Sequence, residues 1–367
     1  MPTESTPPDP ATPPTPPDPA TPHAPVTPPG PATPHSPATP SAPATMRAAV
    51  LTRYGSAEHL ELRDVPRPTV GAGRVLLRVR ATAVNDWDWS IVSGESLITR
   101  LSHGILSPKN AILGLDVAGE VVEVGPGVTT FAPGDRVFGD LSSAGFGGFA
   151  EFVAPEASAL RHLPAGLDFV DAAALPHAAN LTMQALALAK LEPGDRLLLN
   201  GAAGGVGTFA LQLALDRGLT HITGVDSAPK LDFLRAQGIE TALDFRTVDF
   251  TRDSGGYDVI IDARTTRSPF RLARALADGG RYVTVGGPTL KLLGVALWRG
   301  IIRRRTGKQL SVVFLRTNQD TDAAAALYTA GTLRPQIDST WPLAETAQAV
   351  ARFGRGEHCG KIVVTVD

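Results

Sequence analysis

Residues 201–207, Gly-Ala-Ala-Gly-Gly-Val-Gly, form a run too small to block an approaching ligand. Backbone N–H groups that open a helix can hold a phosphate where no side chain stands in the way. The flanks suit that use. Residues 196–199 are a short apolar run of the buried parallel-strand type, and residues 208–214 carry the 3.6-residue apolar period of a helix. Asp226 lies 19 positions after Gly207, at the end of the strand-like run 219–226. That is close to the offset of roughly 20 residues expected for a carboxylate on an adenosine ribose. Ala203, Gly204, Gly205, Val206, Gly207 and Asp226 are thus the first candidate site residues, and their chemistry is dinucleotide binding.

The elements that must position them follow in the chain. Strand-like runs at 242–245, 257–261 and 281–285 alternate with helix-like segments at 230–237 and 269–277. Such alternation makes a doubly wound parallel sheet of α/β class. Ala263 and Arg264 follow one of these strands, at the crevice edge where a cofactor ribose would pass. Gly286 and Gly287 end the next strand and would line the cofactor pocket. Before this region, from Met46, short strands at 47–52, 60–65, 74–81, 117–124, 133–138 and 148–153 are broken by Gly and Pro turns, as in a small irregular barrel. After it come an apolar run at 290–307, a strand at 311–315, a helix at 320–330, an extended segment at 335–338, a helix at 343–353 and a strand at 361–366. The last strand reads as barrel material, so the chain is expected to return to its first domain. The expected bounds are 46–168 for the barrel domain, 169–316 for the dinucleotide domain and 317–367 for the return.

The 367 residues leave room for two domains and a Pro-, Ala- and Thr-rich head, residues 1–45, expected to be extended and disordered. Met46 opens a sequence of different character and is a second candidate start. A formal charge of −2 argues against general nucleic-acid binding. One cysteine, Cys359, cannot make an intrachain disulfide or a multi-cysteine zinc site. No apolar run approaches the ~18 residues that span a bilayer, and no secretory signal is evident, so a cytoplasmic protein is expected.

Several segments together resemble the medium-chain dehydrogenase/reductase superfamily, in its zinc-free quinone oxidoreductase branch. They are 84–89 (Val-Asn-Asp-Trp-Asp-Trp), 114–121 (Gly-Leu-Asp-Val-Ala-Gly-Glu-Val), 133–137 (Pro-Gly-Asp-Arg-Val), the glycine turn, 279–283 (Gly-Gly-Arg-Tyr-Val) and 360–364 (Gly-Lys-Ile-Val-Val). The resemblance covers residues 46–367. It implies a GroES-like barrel built from both chain ends, a Rossmann domain between them, and an active site in the cleft. Zinc-dependent relatives place Cys near the position of Asn85 and Gly-His-Glu where this chain has Gly114, Leu115 and Asp116, so no metal site is expected. His103, His162 and His177 lack ligand spacing and read as surface or core-edge histidines.

By the same resemblance, Asn85 would hydrogen-bond the cofactor or a substrate oxygen. Asp88 would hold that loop or relay a proton, with plain turn formation as the alternative for both. Thr182 matches a threonine facing the nicotinamide, with helix capping as the alternative. Phe245 stands where the branch has an adenine-side tyrosine. Asp226 favours NADH, because a carboxylate repels a 2′-phosphate. Ser227 and Lys230 resemble the phosphate-holding residues of NADPH users, which tips the expectation to NADPH. Two segments depart from the branch: 356–361 (Gly-Glu-His-Cys-Gly-Lys), and 264–267 (Arg-Thr-Thr-Arg), which bears on acceptor preference.

The expected activity is hydride transfer from NAD(P)H to a quinone or an α,β-unsaturated carbonyl without zinc. A non-catalytic NADPH-binding protein and a zinc-free alcohol dehydrogenase remain as rivals. A homodimer through the edge of the Rossmann sheet is common in the superfamily. Residues 292–308 alternate apolar and basic blocks, which suits either a lid helix or weak contact with an anionic membrane surface.

Overall fold

A computed structural model describes residues 44–109 and 111–367. Residues 1–43 of the Pro-rich head, where an extended and disordered chain is expected, lie outside the described residues.

The chain opens with β1 (Thr45–Leu51), β2 (Leu60–Pro66) and β3 (Val75–Val84), followed by α1 (Asp86–Ser93) and α2 (Leu97–His103). Next come β4 (Asp116–Val124), β5 (Arg136–Asp140), β6 (Phe152–Val153) and β7 (Arg161–His162). Helices α3 (Phe169–Ala174) and α4 (Pro176–Ala189) lead to β8 (Leu197–Asn200), α5 (Gly205–Asp216), β9 (Ile222–Asp226), α6 (Leu231–Ala236) and β10 (Thr241–Asp244). β11 (Tyr257–Asp262), α7 (Pro269–Ala275), β12 (Leu276–Thr284), α8 (Thr289–Thr306) and β13 (Gln309–Val312) complete the middle of the chain. It ends with α9 (Thr321–Thr329), β14 (Ile337–Pro342), α10 (Thr346–Gly354) and β15 (Lys361–Thr365).

Six of these strands form a parallel sheet in the order β10-β9-β8-β11-β12-β13. The order reverses between β8 and β11, and in doubly wound sheets ligands bind outside the carboxyl ends at that point. The register aligns Asn200 with Asp262, and Asp262 with Thr284, at those ends. The barrel sheet runs β14-β15-β3-β4-β5-β7, with β6 also on β3. β15 lies antiparallel to β3, Ile362 opposite Val84, so the chain end does return to the first sheet.

Both faces of β3 are buried almost throughout. One face joins Leu115, Val117, Phe149 and Ile362 in the barrel interior. The other carries Ala81 and Ala83 into a core shared with Ala172–Ala174 of α3, with α4 and α5, and with Leu197, Leu199 and Val259 of the parallel sheet. Small residues on both sides let α3 and the barrel strands approach closely. The two sheets are therefore fixed to one continuous core, and so are the strand ends between them.

Several elements differ from the sequence expectation. Residues 148–153 yield only the two-residue β6, because Phe149 and Gly148 bond to Leu113 and Gly114 outside any ladder. The helix expected over 269–277 stops at Ala275, and β12 starts at once with Leu276. The strand expected at 311–315 is shifted to Gln309–Val312, in register with Arg281–Thr284. The helix expected from residue 343 opens as a 3₁₀ turn, Leu343–Glu345. On α8, Leu290, Leu293, Leu297, Trp298 and Ile301 are exposed while Val295 and Ile302 are buried. No helix among the described residues is long and apolar enough to cross a membrane.

Candidate active site

After β8 the chain turns at Gly201, whose φ of 79° lies in the left-handed region that glycine occupies without strain. The N–H groups of Gly201 and Ala202 bond to Val225 O at 2.9 and 3.1 Å, tying the turn to β9. Gly207 permits close packing, since a Cβ there would sit 2.4 Å from the carbonyl oxygens of Gly201 and Ala202. Gly204 is different. Among the described residues a Cβ there would meet Gly201 O alone, at 3.5 Å, and would fill the space in front of α5. Gly204 is also the N-cap of α5, and no cap side chain of its own competes for the first N–H groups of the helix. A dinucleotide pyrophosphate fits that cradle.

Asp226 ends β9 with its carboxylate turned back on the turn. It accepts the N–H of Ala203 at 3.1 Å and of Ser227 at 2.9 Å, and Lys230 Nζ lies 3.4 Å away. Ser227 and Lys230 thus sit beside Asp226, and Lys230 is its counter-charge. Phe245, just past β10, is exposed, and its N–H bonds to Asp226 O at 3.1 Å.

The barrel contributes a buried polar cluster. Asn85 caps α1 and Asp116 opens β4, and the sheet register puts Asp116 opposite Ala83 on one side and Asp140 on the other. Asn85 Nδ2 donates to Asp116 Oδ2 at 2.9 Å. Lys361 Nζ donates to Asn85 Oδ1 at 2.6 Å and to Asp116 Oδ2 at 3.2 Å. The N–H of His177 donates to Asp116 Oδ1 at 2.9 Å, and its Nδ1 bonds Asp140 Oδ2 at 2.8 Å. The stem of Lys361 passes over the start of α5, where a Cβ on Gly205 would lie 2.7 Å from Lys361 Cδ. Asp88 is sealed behind this cluster and accepts the N–H of Asn85 and of Gly114, both at 2.9 Å. It holds the loop and does not reach solvent. Burial pushes its carboxyl up to about 7 against those two N–H groups.

Thr182 is not a helix cap. It sits inside α4, and its hydroxyl bonds Ala178 O at 2.8 Å and Val206 O at 3.2 Å, joining α4 to the first turn of α5. The other wall is a carboxyl group held by neutral donors at the ends of β8, β11 and β12. Asp262 accepts from Tyr282 Oη at 2.8 Å, Asn200 Nδ2 at 2.7 Å and the N–H of Arg264 at 2.9 Å. The hydroxyls of Thr265, Tyr282 and Thr284 are bonded behind it. Ala263 and Gly286 border this wall half-buried, and a Cβ on Gly287 would be 2.8 Å from the N of Thr265. The divergent C-terminal segment packs directly on the glycine turn, with the N–H of Gly360 bonding Ala203 O at 2.7 Å.

Comparison with known proteins matches residues 71–165 to the alcohol dehydrogenase GroES-like domain and residues 237–364 to the zinc-binding dehydrogenase family. The chloroplast envelope quinone oxidoreductase homolog of Arabidopsis thaliana is 32% identical over 84% of this chain and 95% of its own length. The chain belongs to the medium-chain dehydrogenase/reductase superfamily, quinone oxidoreductase branch. The quinone oxidoreductase of Coxiella burnetii has the same fold, with a TM-score of 0.76 and 28% identity over 88% of this chain and all of that one. The pikromycin polyketide synthase component PikAII of Streptomyces venezuelae is 32% identical over 85% of this chain, which spans only 8% of that much longer protein.

Where zinc-dependent relatives carry their ligands, this chain has Asn85, Leu115 and Asp116, with the Lys361 ammonium between Asn85 and Asp116. Among the described residues no group of three or more His, Cys, Asp or Glu is arranged to hold a metal ion. Sequence reasoning missed Lys361, Asp116, Asp140 and His177 as site residues. Each had one signal, a polar residue inside a run that is otherwise apolar, and such residues need partners once buried. His177 is not a surface histidine. It is buried in an ion pair.

Proposed function

We propose that this chain is an NAD(P)H-dependent, zinc-independent reductase of quinones or α,β-unsaturated carbonyls. The observation that carries this is the buried Lys361–Asn85–Asp116 set standing directly beside an open glycine cradle. A bound nicotinamide dinucleotide supplies hydride. The chain's own residues bind and orient it: the open space at Gly204 and the N–H groups of the first turn of α5, from Gly205, Val206 and Gly207, at the pyrophosphate, Ala203 and Asp226 at the ribose, Phe245 beside the adenine. Ala263, Gly286, Gly287 and Thr182 shape the nicotinamide side, and Asn85, whose amide is spent on Ala83 O, Asp116 and Lys361, fixes the loop beside the reacting oxygen rather than bonding it. A conjugated acceptor spreads the arriving charge, so positioning and exclusion of water suffice without a Lewis acid.

NADPH is the proposed cofactor. Lys230 offsets the charge of Asp226, whose oxygens already accept two backbone N–H groups, so a 2′-phosphate meets Ser227 and Lys230 rather than a bare carboxylate. Lys230→Met should raise the KM for NADPH about tenfold and leave that for NADH nearly unchanged. Gly204→Ala should fold normally but weaken dinucleotide binding about tenfold or more, measured by calorimetry, because its methyl fills the cradle. The decisive assay is NADPH and NADH oxidation against a panel of quinones and enones with chelator present. Turnover of a quinone or enone supports the proposal. Tight NADPH binding with no acceptor reduced overturns it in favour of a binding protein, and loss of activity with chelator overturns zinc independence.

A further inference from the structure

Reduction of a conjugated carbonyl needs a proton as well as a hydride, and the cluster around Asn85 contains one group built to give it. His177 is the second residue of α4. Its backbone N–H is fixed on Asp116, and its Nδ1 on Asp140 at 2.8 Å. Asp140 is fixed in turn. Its Oδ1 accepts the N–H of Ser142 at 2.7 Å, while its backbone is clamped by Asn318, whose Oδ1 accepts the Asp140 N–H at 2.9 Å and whose Nδ2 donates to Asp140 O at 2.8 Å. A carboxylate on Nδ1 sets the tautomer and leaves Nε2 as the reactive nitrogen. The side chain is 5% exposed and its Nδ1 is taken up by Asp140, so Nε2 is the ring nitrogen left to meet a ligand. The ring belongs to the cluster of Asp116, Lys361 and Asn85 beside the glycine turn, and Asp86, exposed at the start of α1, feels the charges of both His177 and Arg264. The ring thus borders the cleft between the barrel and the crevice end of β11.

We propose that His177, held by Asp140, is the general acid that completes the reduction. This rests on the reductase function proposed above. Once hydride from the reduced dinucleotide has bonded to the β-carbon of an enone, the displaced electron pair lies over the α-carbon and oxygen as an enolate. The Nε2–H bond of His177 breaks, its proton bonds to the enolate, and the imidazolium becomes imidazole, which regains a proton from water. The acceptor gains one hydride and one proton. Burial works against the charged ring, but the charge and hydrogen bond of Asp140, with Asp116 beside it, hold its pKa above the ordinary histidine value, while Lys361 acts in the opposite sense. Asp86 is a further charged group coupled to the ring.

The test compares wild type with His177→Gln and Asp140→Asn on an enone and on a quinone, whose hydroquinone anion needs less help from an acid. For the enone, wild-type kcat/KM should fall as pH rises through the imidazole pKa. His177→Gln should lose that fall and drop by about 10²–10⁴-fold at neutral pH, with a smaller loss on the quinone. Two readouts do not depend on rate. In D2O, wild type should deuterate the α-carbon from one face and His177→Gln from both. In the cofactor-free protein, NMR should show His177 titrating above the usual histidine value, and lower in Asp140→Asn. If wild type reduces enones and His177→Gln matches its pH profile and single-face labelling, the general-acid assignment is overturned and the reductase function stands. If wild type reduces no acceptor, both fall.

Discussion

Asp116 and Asp262 are both fully buried carboxylates at strand ends beside the cleft, yet they are satisfied in opposite ways. Asp116, on the barrel side, faces the Lys361 ammonium at 3.2 Å along with the Asn85 amide and a backbone N–H. Asp262, on the parallel-sheet side, is held by a phenol, an amide and a backbone N–H, with no ion pair among the described residues. Burial raises the pKa of both, against the neutral donors at Asp262 and chiefly against the Lys361 charge at Asp116. A cluster of neutral donors shapes a wall and tolerates a neutral replacement. A cluster with buried cations holds charge beside the reacting atoms, and it cannot lose a partner cheaply.

The sharpest way to break this contrast is to remove each acid. Asp116→Leu leaves the Lys361 charge buried without its carboxylate and should cost about 3–5 kcal/mol in urea unfolding. Asp262→Leu should cost roughly 1–3 kcal/mol, because it orphans neutral donors. The isosteric pair sharpens the comparison: Asp262→Asn should lose only about 1 kcal/mol, and Asp116→Asn clearly more. Equal losses in the two Asn variants would show that charge plays no special part on the barrel side.

The pH dependence gives a smaller, signed effect. Asp88 has its carboxyl raised to about 7 in the fold, so the folded state holds the proton longer than the unfolded chain. Stability from this group therefore falls as pH rises from about 4 to 7, by up to about 1.4 kcal/mol per pH unit. His358 is sealed against Phe353 with Nδ1 unpartnered, and burial lowers its pKa to about 3, aided by the Lys230 charge. Its contribution runs the other way and is lost as pH falls below the ordinary histidine value. The two offset each other between about pH 4 and 6.5. His358→Phe should remove one of them, so that stability declines with rising pH across this window, measured by thermal unfolding at a series of pH values. A flat profile in the variant would contradict the burial of Asp88. Smallest of all, Leu297→Asp on the exposed side of α8 should change stability by no more than about 0.5 kcal/mol.

The amino-acid sequence by itself determined the parallel sheet, the glycine turn and the Asp226 carboxylate at its end, because those depend on local period and on spacing within a few tens of residues. Thr182 stands out in the sequence only through a family motif, and that motif does not reveal the hydroxyl that ties α4 to α5. Asp88 shows the limit more clearly: its spacing from Asn85 is local, whereas its bond to Gly114 comes from a loop 26 residues away. Only the tertiary structure decided the barrel cluster. Lys361 meets Asn85 across 276 residues because β15 pairs with β3, and His177 meets Asp140 because β5 and the start of α4 pack at the same end of the barrel. Strand register over such separations is set by the summed packing of a whole core. No local pattern around a single lysine or histidine carries it.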